Sequence, residues 1–291
     1  MLVNSPFNYT GNKFEILPKL ISNLPESTES MTLIDLFSGS GNISFNLAYR
    51  FKKILSNEYM GDIQRIQNVI QNGSDEDFEN LIKCVKQFSS SDYNMYQKLR
   101  DYYNTYMYTD YTNHSEFIRN RYDFLNEKAY RLYGLMLSCT SHTIKFNRNG
   151  LFDQTCGKCM YDEFSEKKLI SWRNMLKTIH NVDLLVGDFE KSIPEYIENK
   201  REILFYANPP YSNTIYGYNE LWKSTDEDRL FNFIMKNIDS KWMISGTEVE
   251  GDSKCKLLDL ILRTGKFKTI YLDYDCKKNG TTTREVILIN Y

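Results

Sequence analysis

The sequence predicts an α/β fold built on a doubly wound sheet, and three stretches carry that expectation. Thr32-Leu-Ile-Asp-Leu-Phe37 reads as a buried strand that runs into Ser38-Gly-Ser-Gly41 and then a helical stretch over 42–51. Strand, glycine turn and helix form the first unit of such a sheet. Lys53–Glu58 is a second short apolar strand, and it ends in a carboxylate about 20 residues after the glycine turn, where a ribose diol is commonly held. Ile203–Tyr206 is a third, ending abruptly in Asn208-Pro209-Pro210-Tyr211. Two prolines stiffen that turn and remove two N–H donors. An amide, bare carbonyls and an aromatic ring at the carboxyl end of a strand suit a flat ligand with an exocyclic amino group. A strand closing in a proline turn beside a core tyrosine is the plainer alternative.

The chain has 291 residues, enough for one large domain or two. Its net charge of −2 leaves no global basic signature, so any nucleic-acid contact must rest on a local patch. Membrane spans and a signal peptide are not expected, since no apolar run approaches about 18 residues and the start lacks a basic segment and an apolar stretch. The six cysteines are scattered, and reduced thiols are expected.

In chain order, Asn8-Tyr-Thr-Gly-Asn-Lys13 comes first. Gly11 permits a tight turn, and 14–24 reads as a helix with Ile16, Leu17, Leu20 and Ile21 on one face. Lys13 lies near that helix start, where the macrodipole disfavours a cation, so it is either solvated or paired with a carboxylate. The glycine turn after Phe37 is only G-x-G, and no phosphate-loop lysine follows, which argues against a nucleoside triphosphate.

From 63 to 133 the sequence is polar, helix-prone and rich in tyrosine, consistent with three or four amphipathic helices such as 78–88 and 94–103. Another apolar helix is expected over 132–139. Ile144–Phe152 reads as a β-hairpin turning at Arg148-Asn149-Gly150. Lys145, Arg148 and Lys158 make it locally positive, and Asn147 and Asn149 add amides, a combination suited to phosphates and base edges in a DNA groove. An ordinary exposed hairpin has the same composition. Cys156-Gly-Lys-Cys159 lacks a second ligand pair for zinc and reads as incidental.

A helix is expected over 164–180, with Trp172 and Leu176 on one face. Asp183–Asp188 is a strand ending in an acid followed by Phe189, which suits an adenine amino group and its ring face; alternatively Asp188 caps a helix over 189–197. After the proline turn come a loop at 212–220, a helix over 225–238 capped by Thr225 with Asp228, a strand at 242–245, and closing strands at 268–274 and 285–291. Between the last two, 277–284 reads as a polar, basic loop.

Taken in order, Asn8-Tyr-Thr-Gly-Asn-Lys13, Asp35-Leu-Phe-Ser-Gly-Ser-Gly41, Glu58, Gly187-Asp-Phe189, Asn208-Pro-Pro-Tyr211 and the stretch from Lys278-Asn-Gly280 to Glu285 resemble DNA adenine methyltransferases of the Dam type, the D12 class. Phage Dam enzymes and restriction-modification relatives look most similar. The resemblance implies a Rossmann-like S-adenosylmethionine-dependent sheet with an antiparallel last strand over 1–62 and 176–291. It implies a mainly helical DNA target-recognition insertion, carrying the β-hairpin, over 63–175. Tyr9, Gly11 and Lys13 would hold the methionine end of the cofactor. Asp35, Phe37, Gly39, Gly41 and Asn208 would line it, Glu58 would take the ribose hydroxyls, and Asp188 with Phe189 the adenine. Tyr218 and Trp222 match the loop after the catalytic motif and would meet DNA or the extruded base. Lys145, Asn147, Arg148, Asn149, Gly157 and Lys158 match the recognition element.

The expected reaction is methyl transfer from S-adenosylmethionine to N6 of a flipped adenine in double-stranded DNA, giving S-adenosylhomocysteine. Asn208, Pro209, Pro210 and Tyr211 would carry it, with no metal. Two departures stand out. The family usually has Asp at Asn208, and a neutral amide stabilises developing positive charge less. Thr155 and Cys156 replace a proline and an aromatic, so the family's GATC target is not carried over. A catalytically impaired DNA-binding homologue, or a methyltransferase for RNA or a protein glutamine, are the alternatives. The expected setting is the cytoplasm of a bacterial or phage-infected cell, with a monomer or weak dimer and a cognate restriction enzyme as candidate partner.

Overall fold

The computed structural model describes residues 2–7, 12–109, 114–147, 149, 151–193, 200–210, 222–250, 253–272, 276–278 and 281–291. At 106–109, 114–124, 249–250, 253–254, 276–278 and 281–284 it describes the backbone alone. Expectations for Tyr9, Gly11, Arg148, Gly150, Tyr211 and Tyr218 therefore lie outside the described residues. The chain divides into two compact units, Lys13–Tyr59 with Asn181–Tyr291, and Met1–Asn12 with Met60–His180.

The elements run α1 (Leu17–Ser22), β1 (Thr32–Asp35), α2 (Asn42–Asn46) and β2 (Lys53–Glu58). Then come α3 (Gly61–Asn72), α4 (Asp75–Gln87), α5 (Tyr93–Thr109), α6 (His114–Ser138) and α7 (Glu163–Leu176). After these follow β3 (Val182–Val186), β4 (Ile203–Ala207), α8 (Ser224–Lys236), β5 (Lys241–Glu250), β6 (Ser253–Lys254), α9 (Lys256–Arg263), β7 (Lys268–Tyr271), β8 (Cys276–Lys278) and β9 (Thr281–Ile289).

One unit is the sheet, in the order β3-β2-β1-β4-β5-β9-β7, with β6 on β5 and β8 on β9. The pairs from β3 through β5 are parallel, and β9 is antiparallel to both β5 and β7. This is the Rossmann-like sheet with a reversed late strand that the sequence predicts. Strands β1 and β4 are apolar runs without alternation because both their faces are covered. On one face Ile34, Phe205, Trp242, Ile244 and Leu288 pack with Leu230 and Ile234 of α8 and with Leu257, Leu258 and Ile261 of α9. The Phe205 and Trp242 rings stack at 4.5 Å.

Several boundaries differ from expectation. Pro18 in the first turn of α1 starts that helix later than residue 14, since proline fits only where no N–H partner is needed. Helix α2 stops at Asn46 and tightens into a 3-10 turn at Ala48–Arg50 rather than running to 51. The cap of α8 falls before Thr225: the Asp226 carboxylate accepts from the Lys223 N–H at 2.8 Å. Residues 189–193 form turns, not the start of a helix, while 194–199 lie outside the described residues. The expected basic loop at 277–284 is largely the β8–β9 pairing, whose backbone bonds need no apolar pattern. Helix α9 had no counterpart in the sequence reading.

The second unit is helical. Helix α4 opens on a reciprocal Ser74–Asp77 capping box, and α7 on Asp162–Ser165. Met1–Asn12, expected with the sheet, belongs to this unit: the Tyr133 hydroxyl donates to the Pro6 carbonyl at 3.2 Å, and the Phe7 ring lies 4.9 Å from that of Tyr133. Trp172 is fully buried and donates to Gln67 at 3.1 Å. Among the described residues no helix is long and apolar enough to cross a membrane.

Arg173 is the polar anchor of this unit. Its guanidinium donates to the carbonyls of Val69, Ile70, Gly73 and Ser74 and to the Asp75 carboxylate, at 2.8–3.3 Å. The Val69 carbonyl also takes the Gly73 N–H, that of Gly73 the Lys177 ammonium and that of Ser74 the Phe78 N–H, so the planar fork bridges the end of α3 to the start of α4. Arg173→Met is therefore expected to destabilise the helical unit by about 1–3 kcal/mol, because the Ile70 carbonyl loses its donor and the link between the two helices is cut. Arg173→Lys is expected to recover only part. Hydrogen exchange at 61–74 measures both.

Candidate active site

The site is built where the strand order reverses. β1 and β4 are neighbours in parallel register, Asp35 opposite Tyr206, and β2 and β5 continue in opposite directions from them. The turns leaving β1 and β4 therefore diverge and leave a crevice at their carboxyl ends. The Leu36 N–H still bonds to the Tyr206 carbonyl at 3.0 Å, so the two turns part just beyond that bond.

After β1 the chain turns through Gly39 (φ 51°) and Gly41 (φ 77°), a left-handed backbone that glycine adopts without strain. The Gly39 N–H donates to Glu58 Oε2 at 2.8 Å. Glu58 is nearly buried. Asn57, which the sequence reading passed over, staples the turns together. Its Nδ2 donates to the Leu36 carbonyl at 3.0 Å and to the Gly187 carbonyl at 3.1 Å. A polar pair, Asn57-Glu58, closing an apolar strand was the available signal.

Asp35 is fully buried beneath this turn. Ser44 donates to its Oδ2 at 2.7 Å, while Oδ1 has no normal hydrogen bond from a described residue. Its carboxyl is pushed up to about 7, first by burial; the Ser44 hydroxyl and the nearby Phe37 backbone N–H oppose this, and the charge of Glu58 adds to it. Beyond β3, Asp188 and Phe189 form a turn in which the Asp188 carbonyl accepts from Lys191 and Ser192, both at 3.0 Å. The Phe189 ring is 5.5 Å from Phe37 and 6.0 Å from Trp222, and Phe37 meets Trp222 edge-on at 5.5 Å. Trp222, expected toward DNA, thus packs among the aromatic residues expected at the cofactor. Its indole N–H is buried with no partner among the described residues.

Asn208 is half-buried one residue beyond β4, with Pro209 buried behind it. Below it the Tyr206 hydroxyl is buried 2.6 Å from that of Ser245, and burial raises its pKa far above the usual phenol value. Lys13 has the carboxylate partner considered for it: its Nζ lies 3.0 Å from Glu285 Oε1, and its side chain is buried.

The expected DNA-facing residues Lys145, Asn147, Asn149 and Lys158 belong to the helical unit. Phe146 and Phe152 pair antiparallel, and the Asn147 Oδ1 accepts from the N–H of Asn149 (2.9 Å) and of Leu151 (3.2 Å). The Asn147 carbonyl oxygen is thus turned into its own loop. Asn149 and Lys158 are exposed. A Cβ on Gly157 would lie 2.6 Å from Thr140 Cα, so only glycine fits there. Among the described residues no cluster of side chains suits a metal ion.

Comparison with known proteins gives the family. The model of the D12 class N6 adenine-specific DNA methyltransferases matches residues 9–283. Similar proteins include "Modification methylase LlaI" of Lactococcus lactis subsp. lactis, 23% identical over 99% of this chain and 43% of that protein. Another is "Modification methylase StsI" of Streptococcus sanguinis, 22% identical over 99% of this chain and 43% of its own length. The chain thus spans less than half the length of these relatives. With the family model covering nearly its whole length, the chain belongs to the D12 class of N6 adenine-specific DNA methyltransferases.

Proposed function

We propose that this chain methylates adenine N6 in double-stranded DNA at a specific sequence, with S-adenosylmethionine as donor and S-adenosylhomocysteine as product. The carrying observation is the adjacency of the glycine turn after β1 and the Asn208 turn after β4, on strands spaced by about 4.8 Å. The residues suit the cofactor. Two glycines with positive φ allow close backbone approach, Asp35 Oδ1 is buried without a full hydrogen bond, and the part-buried rings of Phe37 and Trp222 stand beside Phe189.

S-adenosylmethionine supplies an electrophilic methyl whose bonding pair returns to sulfur on transfer. Glu58 would hold the ribose hydroxyls, Asp188 and Phe189 the purine, Asp35 and Lys13 the methionine end together with Tyr9 and Gly11. The target adenine must leave the base stack to reach this crevice. The Asn208 side-chain oxygen and the Pro209 carbonyl would accept its two N6 hydrogens, turning the nitrogen lone pair out of ring conjugation toward the methyl. Tyr211 would stack on the base. The N6 proton passes to solvent after transfer, since an amide is no base. The helical unit, with Lys145, Asn147, Arg148, Asn149, Lys158 and also Tyr218 from the other unit, would meet DNA. The relatives' designation as modification methylases supports a role beside a restriction enzyme.

Incubation with methyl-labelled cofactor and mixed-sequence duplex DNA is expected to place label on adenine N6; its absence under all conditions rejects the activity. Asn208→Ala should lower kcat by about 100-fold or more while cofactor affinity changes little. Asn208→Asp should leave kcat within about tenfold; a much larger gain with unchanged DNA binding would mark the chain as an impaired homologue.

Asp35 generates a pH prediction. Its folded pKa, about 7, exceeds the unfolded value of 3.8, so the folded state holds the extra proton between them. Stability contributed by this proton is present at low pH and lost as pH rises toward 7. From pH 5 to 8 the loss is about 2–3 kcal/mol. Urea unfolding should show it in the parent protein and a flatter profile in Asp35→Asn.

A further inference from the structure

We infer that Arg229 of α8 is a positioning residue that fixes the Asp188 carboxylate, and that it thereby sets selectivity for a 6-amino purine over a 6-oxo purine in the cofactor. This rests on the reading of Asp188 and Phe189 as the corner that holds the cofactor's base.

The geometry is specific. Arg229 Nη2 donates to both Asp188 oxygens, at 2.8 and 2.9 Å. Its Nε donates to Glu190 Oε2 at 2.9 Å, and its Nη1 to Asp226 Oδ1 at 2.9 Å. Its guanidinium carbon lies 5.1 Å from the centre of the Phe189 ring. One planar group thus grips the acceptor and covers the ring that would flank the purine. Asp226 also accepts from the Lys223 N–H, so Arg229 ties the turn after β3 to the first turn of α8. The carboxylate hydrogen bonds keep Arg229 protonated at any ordinary pH.

Counting acceptors gives the selectivity. Asp188 Oδ1 takes the Arg229 Nη2 and the Glu190 N–H at 3.1 Å, while Oδ2 takes the same Nη2. An ionised carboxylate has about four lone-pair positions, so one remains, on Oδ2. It suits a single N–H of a purine amino group. A 6-oxo purine would set lone pair against lone pair there. Without Arg229 the Asp188 side chain can rotate away, and that response admits the oxo purine.

The test uses binding to the whole chain, independent of turnover. Calorimetry gives the Kd of S-adenosylhomocysteine and of S-inosylhomocysteine, and their ratio is the readout. The parent protein is expected to favour the adenine form by about 100-fold or more. Arg229→Met, which keeps a stem over Phe189, should lower that ratio by about tenfold, and Arg229→Lys should fall between. General loosening would weaken both ligands alike and leave the ratio in place, which separates positioning from a structural role. An unchanged ratio in Arg229→Met overturns the inference; if that variant does not fold, an unchanged ratio in Arg229→Lys does so. Asp188→Asn is the control for the underlying reading. If it too leaves the ratio unchanged, or if the parent binds neither ligand, the assignment of the corner itself fails. A ratio moved by Asp188→Asn but by neither arginine variant rejects only the role of Arg229.

Discussion

Everything in the sheet unit depends on β1 finding β4. Both strands are buried on both faces, so their backbone groups must be paired in full, and a parallel neighbour is reached only by a long crossover. Here the crossover contains β2, β3 and all of the helical unit but Met1–Asn12. A large insertion is tolerated in that position because loop-closure entropy grows only slowly with length. The reversal of direction at this pair opens the crevice, and Asp35, Gly39 and Asn208 are its rim because each follows from the ends of those two strands.

The crevice is held open by polar groups more than by packing. Asn57 and Glu58 sit at the end of one strand and bind backbone groups of the turns on both sides. The apolar face behind them is close-packed, with Trp242 and Phe205 in contact over α8 and α9. Rigid support on one face and an amide and a carboxylate tying the turns on the other is a workable foundation for a site that has to aim one nitrogen at one carbon.

The strands β1, β2 and β4 were legible because fully covered strands are written as unbroken apolar runs. The glycine turn and Glu58 were legible because their residue types are demanded by backbone geometry and by position along the motif. The β8–β9 pairing was not, since Lys277–Thr283 has no apolar alternation and owes its form to bonds with a distant strand. Arg229 and Asn57 were illegible for a related reason: a polar side chain announces nothing until its partners, far away in sequence, are brought beside it. Asp226 rather than Thr225 governs the start of α8 because a carboxylate three residues on reaches back to the Lys223 N–H. Trp222, expected at DNA or the extruded base by its position along the chain, has its ring beside those of Phe37 and Phe189.

Asp35 carries a further consequence. A carboxyl group balanced near neutrality is half-occupied by hydrogen ion in an ordinary laboratory solution. Seating any cation beside it drives that ion out to the medium, so the heats of association in Tris and in phosphate differ by the fraction of a proton released times the difference between the two buffers' ionisation enthalpies. A single buried side chain thus makes the choice of buffer part of the thermodynamics of this protein.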